Sequence, residues 1–346
     1  MVPLAGYPFG VASTRDGRWS FADETRGAVG VFSDAHFTPR LVRTIEVPGQ
    51  AVGDSLTSDG RYLLVAGGGQ GGAGAAVLSV ARAEAGRSPA VLGTLSGAPN
   101  GFGPIEVTSS LDGDYALVSV EYADRVDVYN LRAAIADHFT RPTYLGSVRL
   151  GQAVVGMAVS PNGRWLYVTS EIAAGARTLA SPGTLSVISI AKAEHDPADS
   201  VVATVDARCQ PVRVVVSADG RTVWVTARAS DELLAFSAAK LISDPAHALI
   251  AAVRVGEAPV GLALVDSGRW IVVADSNRFT APGAHSALTV VDTAAALARQ
   301  AAVLGTVPAG SFPREMSLEG NGNTLLVSNF ASGQLEAIHL PAPTGG

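Results

Sequence analysis

One phrase recurs seven times along the chain: an apolar strand, a turn ending in glycine, a second strand, a polar loop and a third strand. The turns fall at Asp16-Gly17, Asp59-Gly60, Asp112-Gly113, Asn162-Gly163, Asp219-Gly220, Ser267-Gly268 and Asn321-Gly322. Asp-Gly and Asn-Gly pairs favour tight hairpins because both residues tolerate positive φ. Their spacing of roughly 43 to 57 residues suits a four-stranded propeller blade. With strands lettered A to D from the axis outward, the fifth copy reads VRVVVS, TVWVTA, LLAFSA and ALIAAVRV. Between C and D most copies carry an Ala-rich piece, such as NLRAAIADHF or SAAKLISDPA, read as one or two helical turns or loops. Seven such units close radially and leave few free edges. The expected fold is all-β: a seven-bladed β-propeller of four-stranded antiparallel blades, one domain over residues 1–346. Length alone would suggest two or three domains, but repeats override that prior.

Two details refine the alignment. Trp19, Tyr62, Tyr115, Trp165 and Trp270 each fall two residues after a turn glycine, and Trp224 lies two further on. Aromatic residues at one repeat position point to blade-to-blade packing. The last copy has A (EMSLE), B (NTLLVSN) and C (QLEAIHL), then runs out at PAPTGG. Residues 2–6, VPLAG, resemble the D strands before other copies, so the N-terminal strand is expected to close the ring as the outer strand of the last blade.

The repeat SPNGRWLYVTSE…LSVISI resembles the YVTN-type repeat of YncE-like propellers, relatives of the lactonase-type, 6-phosphogluconolactonase-like propellers. CQPVRVVVSADGRTVWVTAR and SFPREMSLEGNGNTLLVSNF look most like that group, and the resemblance covers nearly the whole chain. It implies the propeller fold. Its members include lactone hydrolases, cycloisomerases, lyases and non-enzymatic binders, so the activity must be argued from the site. Lactonase-type members often show a histidine after Pro-Arg, whereas here Pro313-Arg314 is followed by Glu315.

Strand alternation puts the A–B turns and C–D helical pieces on one face, and the B–C and D–A loops on the other, around the channel mouth. Ligands commonly sit among such converging loops. Where each strand A begins, an axial position reads Gly10, Gly53, Glu106, Gly156, Arg213, Gly261 and Glu315. Glycines suit a crowded axis; three charges among them suggest a polar site, or a Glu–Arg–Glu set that satisfies itself as a plug. A second layer, at the end of strand B, reads Glu24, Gly68, Glu121, Glu171, Arg228, Ser276 and Phe330, with Asp23, Asp275 and Asn329 as neighbours. The leading expectation is a small-molecule enzyme at the channel mouth, a hydrolase, lyase or isomerase acting on a lactone-like or carbonyl- or carboxylate-bearing metabolite. Glu106 and Glu315 would exchange protons, and Arg213 would hold an anionic group. Arg228, Glu121, Glu171, Arg278, Arg314 and His285 would bind substrate. The rival is a non-enzymatic scaffold binding a ligand or protein across the same face.

Other classes find little support. The net charge is −6, with no basic stripe for phosphates, so no nucleic-acid partner is expected, although DNA binding is suggested for some relatives. Cys209 is the only cysteine, which excludes an intrachain disulfide and a cysteine-based zinc cluster. No His-Glu-x-x-His, EF-hand loop or Gly-x-Ser-x-Gly elbow occurs, and the glycine run GGGQGGAG lacks the Lys-Ser/Thr of a phosphate loop. No metal or cofactor is expected, with carboxylate-held Ca²⁺ in the channel left open. His36, His138, His195 and His247 lie in C–D connections of different blades. No 18-residue apolar run marks a membrane span. MVPLAGYPFG lacks the basic and apolar regions of a signal peptide, so the chain as it stands reads as cytoplasmic while its compartment stays open to a removed leader; a monomer is expected.

Overall fold

The computed structural model describes residues 1–34, 38–67, 74–176, 178, 181–279, 286–320 and 322–340. Seven four-stranded antiparallel sheets follow one another around an axis. Their inner A strands are Pro8–Ser13, Asp54–Leu56, Pro104–Ser109, Gln152–Val159, Pro211–Val216, Pro259–Val265 and Pro313–Leu318. In blade five the A, C and D strands begin within one residue of the expected positions, and strand B, Thr222–Ala227, coincides with its expected limits. The ring closes as expected. Val2 and Pro3 pair antiparallel with Leu335 and Gln334 of the last blade, and the Leu4 N–H donates to Gly333 O at 2.9 Å. Val2 and Leu4 then pack on a buried cluster that includes Phe32, Leu326 and Leu335. The buried Glu24 carboxylate accepts the Gly6 N–H, so this second-layer residue serves the closure.

The hairpin signature works through side chains as well as through glycine. Thr14, Thr57, Ser110, Ser160 and Ser217 each donate a hydroxyl to the turn residue two positions on, Asp16, Asp59, Asp112, Asn162 and Asp219. The same Asp or Asn oxygen accepts the backbone N–H beyond the glycine. These Asx-type bonds hold the chain where the glycine takes its positive φ, 64° at Gly17 and 70° at Gly60. The Ala-rich C–D pieces form short helices, Val80–Ala85, Leu131–Ala136, Ile190–Ala193, Ala238–Ser243 and Thr293–Leu297. Each is N-capped by the residue before it: Ser79, Asn130, Ser189, Ser237 or Asp292. No helix among the described residues is long and apolar enough to cross a membrane.

Trp19, Tyr62, Trp165 and Trp270 pack half-buried against the blade cores, while Trp224 is buried. An arginine guanidinium lies over each of the first four rings, which pack between neighbouring blades as expected.

Near its start, strand A is interrupted by a bulge in six blades. A hydroxyl on strand B secures it in four of them. Ser119, Thr169, Thr226 and Ser328 accept the axial N–H of their own blade, at Glu106, Gly156, Arg213 and Glu315. Each donates to the bulge carbonyl of the next blade, at Val155, Val212, Val260 and, across the ring closure, Phe9. Axial glycines follow from this geometry. A Cβ at Gly53, Gly156 or Gly261 would run into the carbonyl of Ile105, Val212 or Arg314 in the next blade. In blade one the hydroxyl position is occupied by Asp23, which accepts the Gly10 N–H at 2.6 Å.

Candidate functional site

Three consecutive residues of each copy border the axis, at the bulge in six blades and at Val52–Asp54 in blade two. The first column is Phe9, Val52, Ile105, Val155, Val212, Val260 and Arg314. Its six apolar members form one buried cluster with Phe312 and Phe330. None is more than 9% exposed, so the cluster closes the channel at that level. The charged residues expected at one mouth are therefore divided between two compartments.

Below the ring lie Glu106, Arg213 and Glu315, in a cavity of about 190 Å³. Strand A is only half-buried further along, at Met157–Val159, Val215–Val216 and Met316–Leu318, so this chamber faces the A–B turns rather than the loop face. Arg213 Nε lies 2.6 Å from Glu106 Oε1 and also bonds Glu315. Glu106 Oε2 accepts the Met157 N–H at 2.8 Å. Burial pushes the Glu106 carboxyl up to about 7 although Arg213 opposes the shift. Burial weakens the hold of Arg213 on its proton, but Glu106 and Glu315 more than offset it. The third column reads Val11, Asp54, Val107, Met157, Val214, Leu262 and Met316. Asp54 is the charged outlier there. It lies one residue beyond the axial column and outside the strand-B layer, the two positions aligned above; aligning its own column reveals it.

Above the ring, Arg228 Nη2 pairs with Glu171 at 2.7 Å and with Gln210 Oε1 at 2.9 Å. The B–C and D–A loops meet here as expected, with the Glu121 N–H on Gly103 O and the Arg228 N–H on Gln210 O. Arginines and phenylalanines alternate across the mouth. Phe279 lies 5.8 Å from Arg228 and 5.5 Å from Arg278. Phe312 lies 5.4 Å from Arg278 and 5.5 Å from Arg314, and Arg314 lies 3.5 Å over Phe9. Phe330 stacks on Tyr7 and stands 5.7 Å from Arg314. Neither Arg278 nor Arg314 pairs with a carboxylate among the described residues, and Arg314 Nε is buried without a partner. Burial lowers Arg314 to about 9, helped by the charge of Arg213. Burial also lowers Arg228, partly countered by Glu171. The Glu121 carboxyl is raised, by burial and then by Glu171.

The substrate-binding set expected from sequence thus gathers in the upper basin, apart from His285, which lies outside the described residues. The acid/base set gathers below the ring. Phe279 and Phe312 were missed; they sit beside the singled-out arginines in SNRF and SFPRE. His138, His195 and His247 follow or cap the C–D helices, away from both compartments. Among the described residues no three His, Cys, Asp or Glu side chains come together to hold a metal.

The fold and its divided channel define a seven-bladed propeller with a cationic, aromatic-lined mouth. The chain belongs to the family described as Lactonase, 7-bladed beta-propeller, whose model matches residues 55–281. That span includes Glu106, Glu121, Glu171, Arg213, Arg228 and Arg278, and stops before Arg314 and Glu315. Among solved structures the chain is similar to Kuenenia stuttgartiensis hydrazine synthase, at 15% identity and a TM-score of 0.75, covering 97% of this chain and 96% of that one. At such identity the likeness concerns the fold alone. Comparison with curated proteins returned no significant match.

Proposed function

We propose that the chain is a small-molecule hydrolase of the lactonase kind, acting in the upper basin on a lactone or related ester that carries a carboxylate. The observation behind this reading is the ladder of Arg228, Phe279, Arg278, Phe312 and Arg314, in which two guanidinium groups lack a carboxylate partner among the described residues. Unpaired guanidinium forks beside ring faces suit a flat, anionic, carbonyl-bearing molecule. Arg278 would engage the substrate carboxylate, and Arg314 the oxyanion that develops at the carbonyl. Glu121, with its raised proton affinity and no hydrogen bond or ion pair from its carboxylate to described residues, is the proton carrier. It would take a proton from the attacking water as the C–O bond to water forms. It would return that proton to the ring oxygen as the lactone bond breaks.

Turnover of a panel of carboxylated lactones tests the reading. Arg278→Ala should lower kcat/KM by roughly 10- to 100-fold, the loss of one charged hydrogen-bond partner. Glu121→Gln should lower kcat by about 100-fold or more while leaving KM little changed. Hydrolysis indifferent to both changes would overturn it. The binding-scaffold reading rests on a different observation: Tyr7, Phe102, Tyr122 and Phe279, exposed by 46% to 83%, all lie on this face. Such aromatic exposure suits a protein partner.

A further inference from the structure

Four blades join the next blade through a hydroxyl six residues after the turn glycine: Ser119, Thr169, Thr226 and Ser328. Each accepts the axial N–H of its own blade and donates its proton to its neighbour. Blades two and six carry Ala66 and Ala274 at this position, and blade one carries Asp23. Asp23 performs the first half of the task, since its Oδ1 accepts the Gly10 N–H at 2.6 Å. The second half needs a donor, and an ionised carboxylate has none. Asp23 is fully buried, and its Oδ2 has no hydrogen-bond partner. Blade two presents another acceptor there. Both carboxylate oxygens of Asp54 are likewise buried without a partner. A Cβ on Gly10 would sit 2.7 Å from Asp23 Oδ2 and from Asp54 Oδ1, so the two oxygens converge over the bare Cα of that glycine. Two ionised carboxylates so close and so dry repel each other; one proton between them replaces the repulsion with a hydrogen bond.

We propose that Asp23 and Asp54 share one proton, which stands in for the hydroxyl bond between blades and makes the junction of blades one and two weaken as pH rises. The surrounding charges favour the shared proton. Glu315 of blade seven adds to the repulsion at both carboxyls, and Arg314 eases it only at Asp23. Arg213 is bound to Glu106 and Glu315, and Glu24, beside Asp23 in sequence, is turned to the Gly6 N–H. Burial pushes the Asp23 carboxyl up to about 7 against the Gly10 bond, and burial followed by the charge of Asp23 raises Asp54. An unfolded aspartate releases its proton near pH 4. The folded chain therefore keeps a proton that the unfolded chain loses, so stability falls as pH rises from about 4 to about 7 and then levels off. The device does not depend on any reaction in the upper basin.

Thermal melting of the full chain at pH 5 and pH 8 provides the test, with Asp23→Asn, Asp54→Asn and the double variant beside wild type. An amide keeps the shape and donates a hydrogen bond at every pH. Each single change should therefore raise the melting temperature at pH 8 and shrink the fall between the two pH values by about 3 °C or more. Because one proton serves both residues, the double variant should be no flatter than either single one. Infrared spectra at pH 6 give a second reading. Wild type should show the C=O stretch of a protonated carboxyl, and the band should be weaker in Asp54→Asn. A pH dependence that either single change leaves untouched would overturn the proposal, as would single effects that add in full. A wild type without the protonated-carboxyl band, or a band of equal strength in Asp54→Asn, would overturn it too.

Discussion

Arg213, expected from the sequence to hold an anionic group, is engaged by two carboxylates of its own chain. Its Nε serves two carboxylates, Glu106 and Glu315, that come from blades three and seven, while Arg213 comes from blade five. Removing only the arginine strands two buried carboxylates, a change that typically costs about 3–5 kcal/mol. Arg213→Ala should therefore lower the melting temperature clearly, by several degrees in a chain of this size. Glu106→Gln/Arg213→Met/Glu315→Gln removes all three charges and should recover most of that loss, since well-packed neutral groups often replace a buried ion network at little cost. Thermal unfolding of the two variants side by side checks this; a triple variant as unstable as Arg213→Ala would contradict it.

At the scale of elements, the blade was legible because its signals are local. Asp-Gly turns, capped helices after strand C and apolar strands of five or six residues all follow from neighbours in sequence, and the structure places them within a residue or so. The missing D strand of the last copy revealed the closure through Val2 and Pro3. The site was only half legible. Aligning the copies identified Glu106, Arg213, Glu315, Arg228 and Glu171 as outliers, and the structure pairs them with one another. The bulge that turns three successive residues of strand A to the axis is a tertiary feature, held by hydroxyls that reach the next blade, such as Thr169 to Val212 O. Without it, the apolar ring between the compartments could not be read from the repeat. The closing strand makes its own prediction. Deleting residues 2–6 removes the Val2 and Leu4 contacts and the Gly6 bond to Glu24, and exposes the edge of Gln334–His339. Burial of two aliphatic side chains alone is worth about 2–4 kcal/mol. The truncated chain should melt several degrees lower, and an unchanged midpoint would contradict closure by this strand.

For the whole molecule, seven near-equal blades create one axis, and departures from the repeat along that axis create its two polar compartments. The ring of Phe9, Val52, Ile105, Val155, Val212 and Val260 divides the channel. Above it, the loops of blades five, six and seven bring arginines and phenylalanines to the mouth. Below it, a charged chamber faces the turns. The account places substrate chemistry above the ring and assigns the Glu106–Arg213–Glu315 set to the interior of the propeller. The most direct measurement is kcat/KM for a carboxylated lactone with the folded triple variant, Glu106→Gln/Arg213→Met/Glu315→Gln, beside wild type. The account predicts a value within about threefold of wild type, because the upper basin is intact. A folded triple variant that has lost turnover by a hundredfold or more would contradict it, and would move the reaction below the ring.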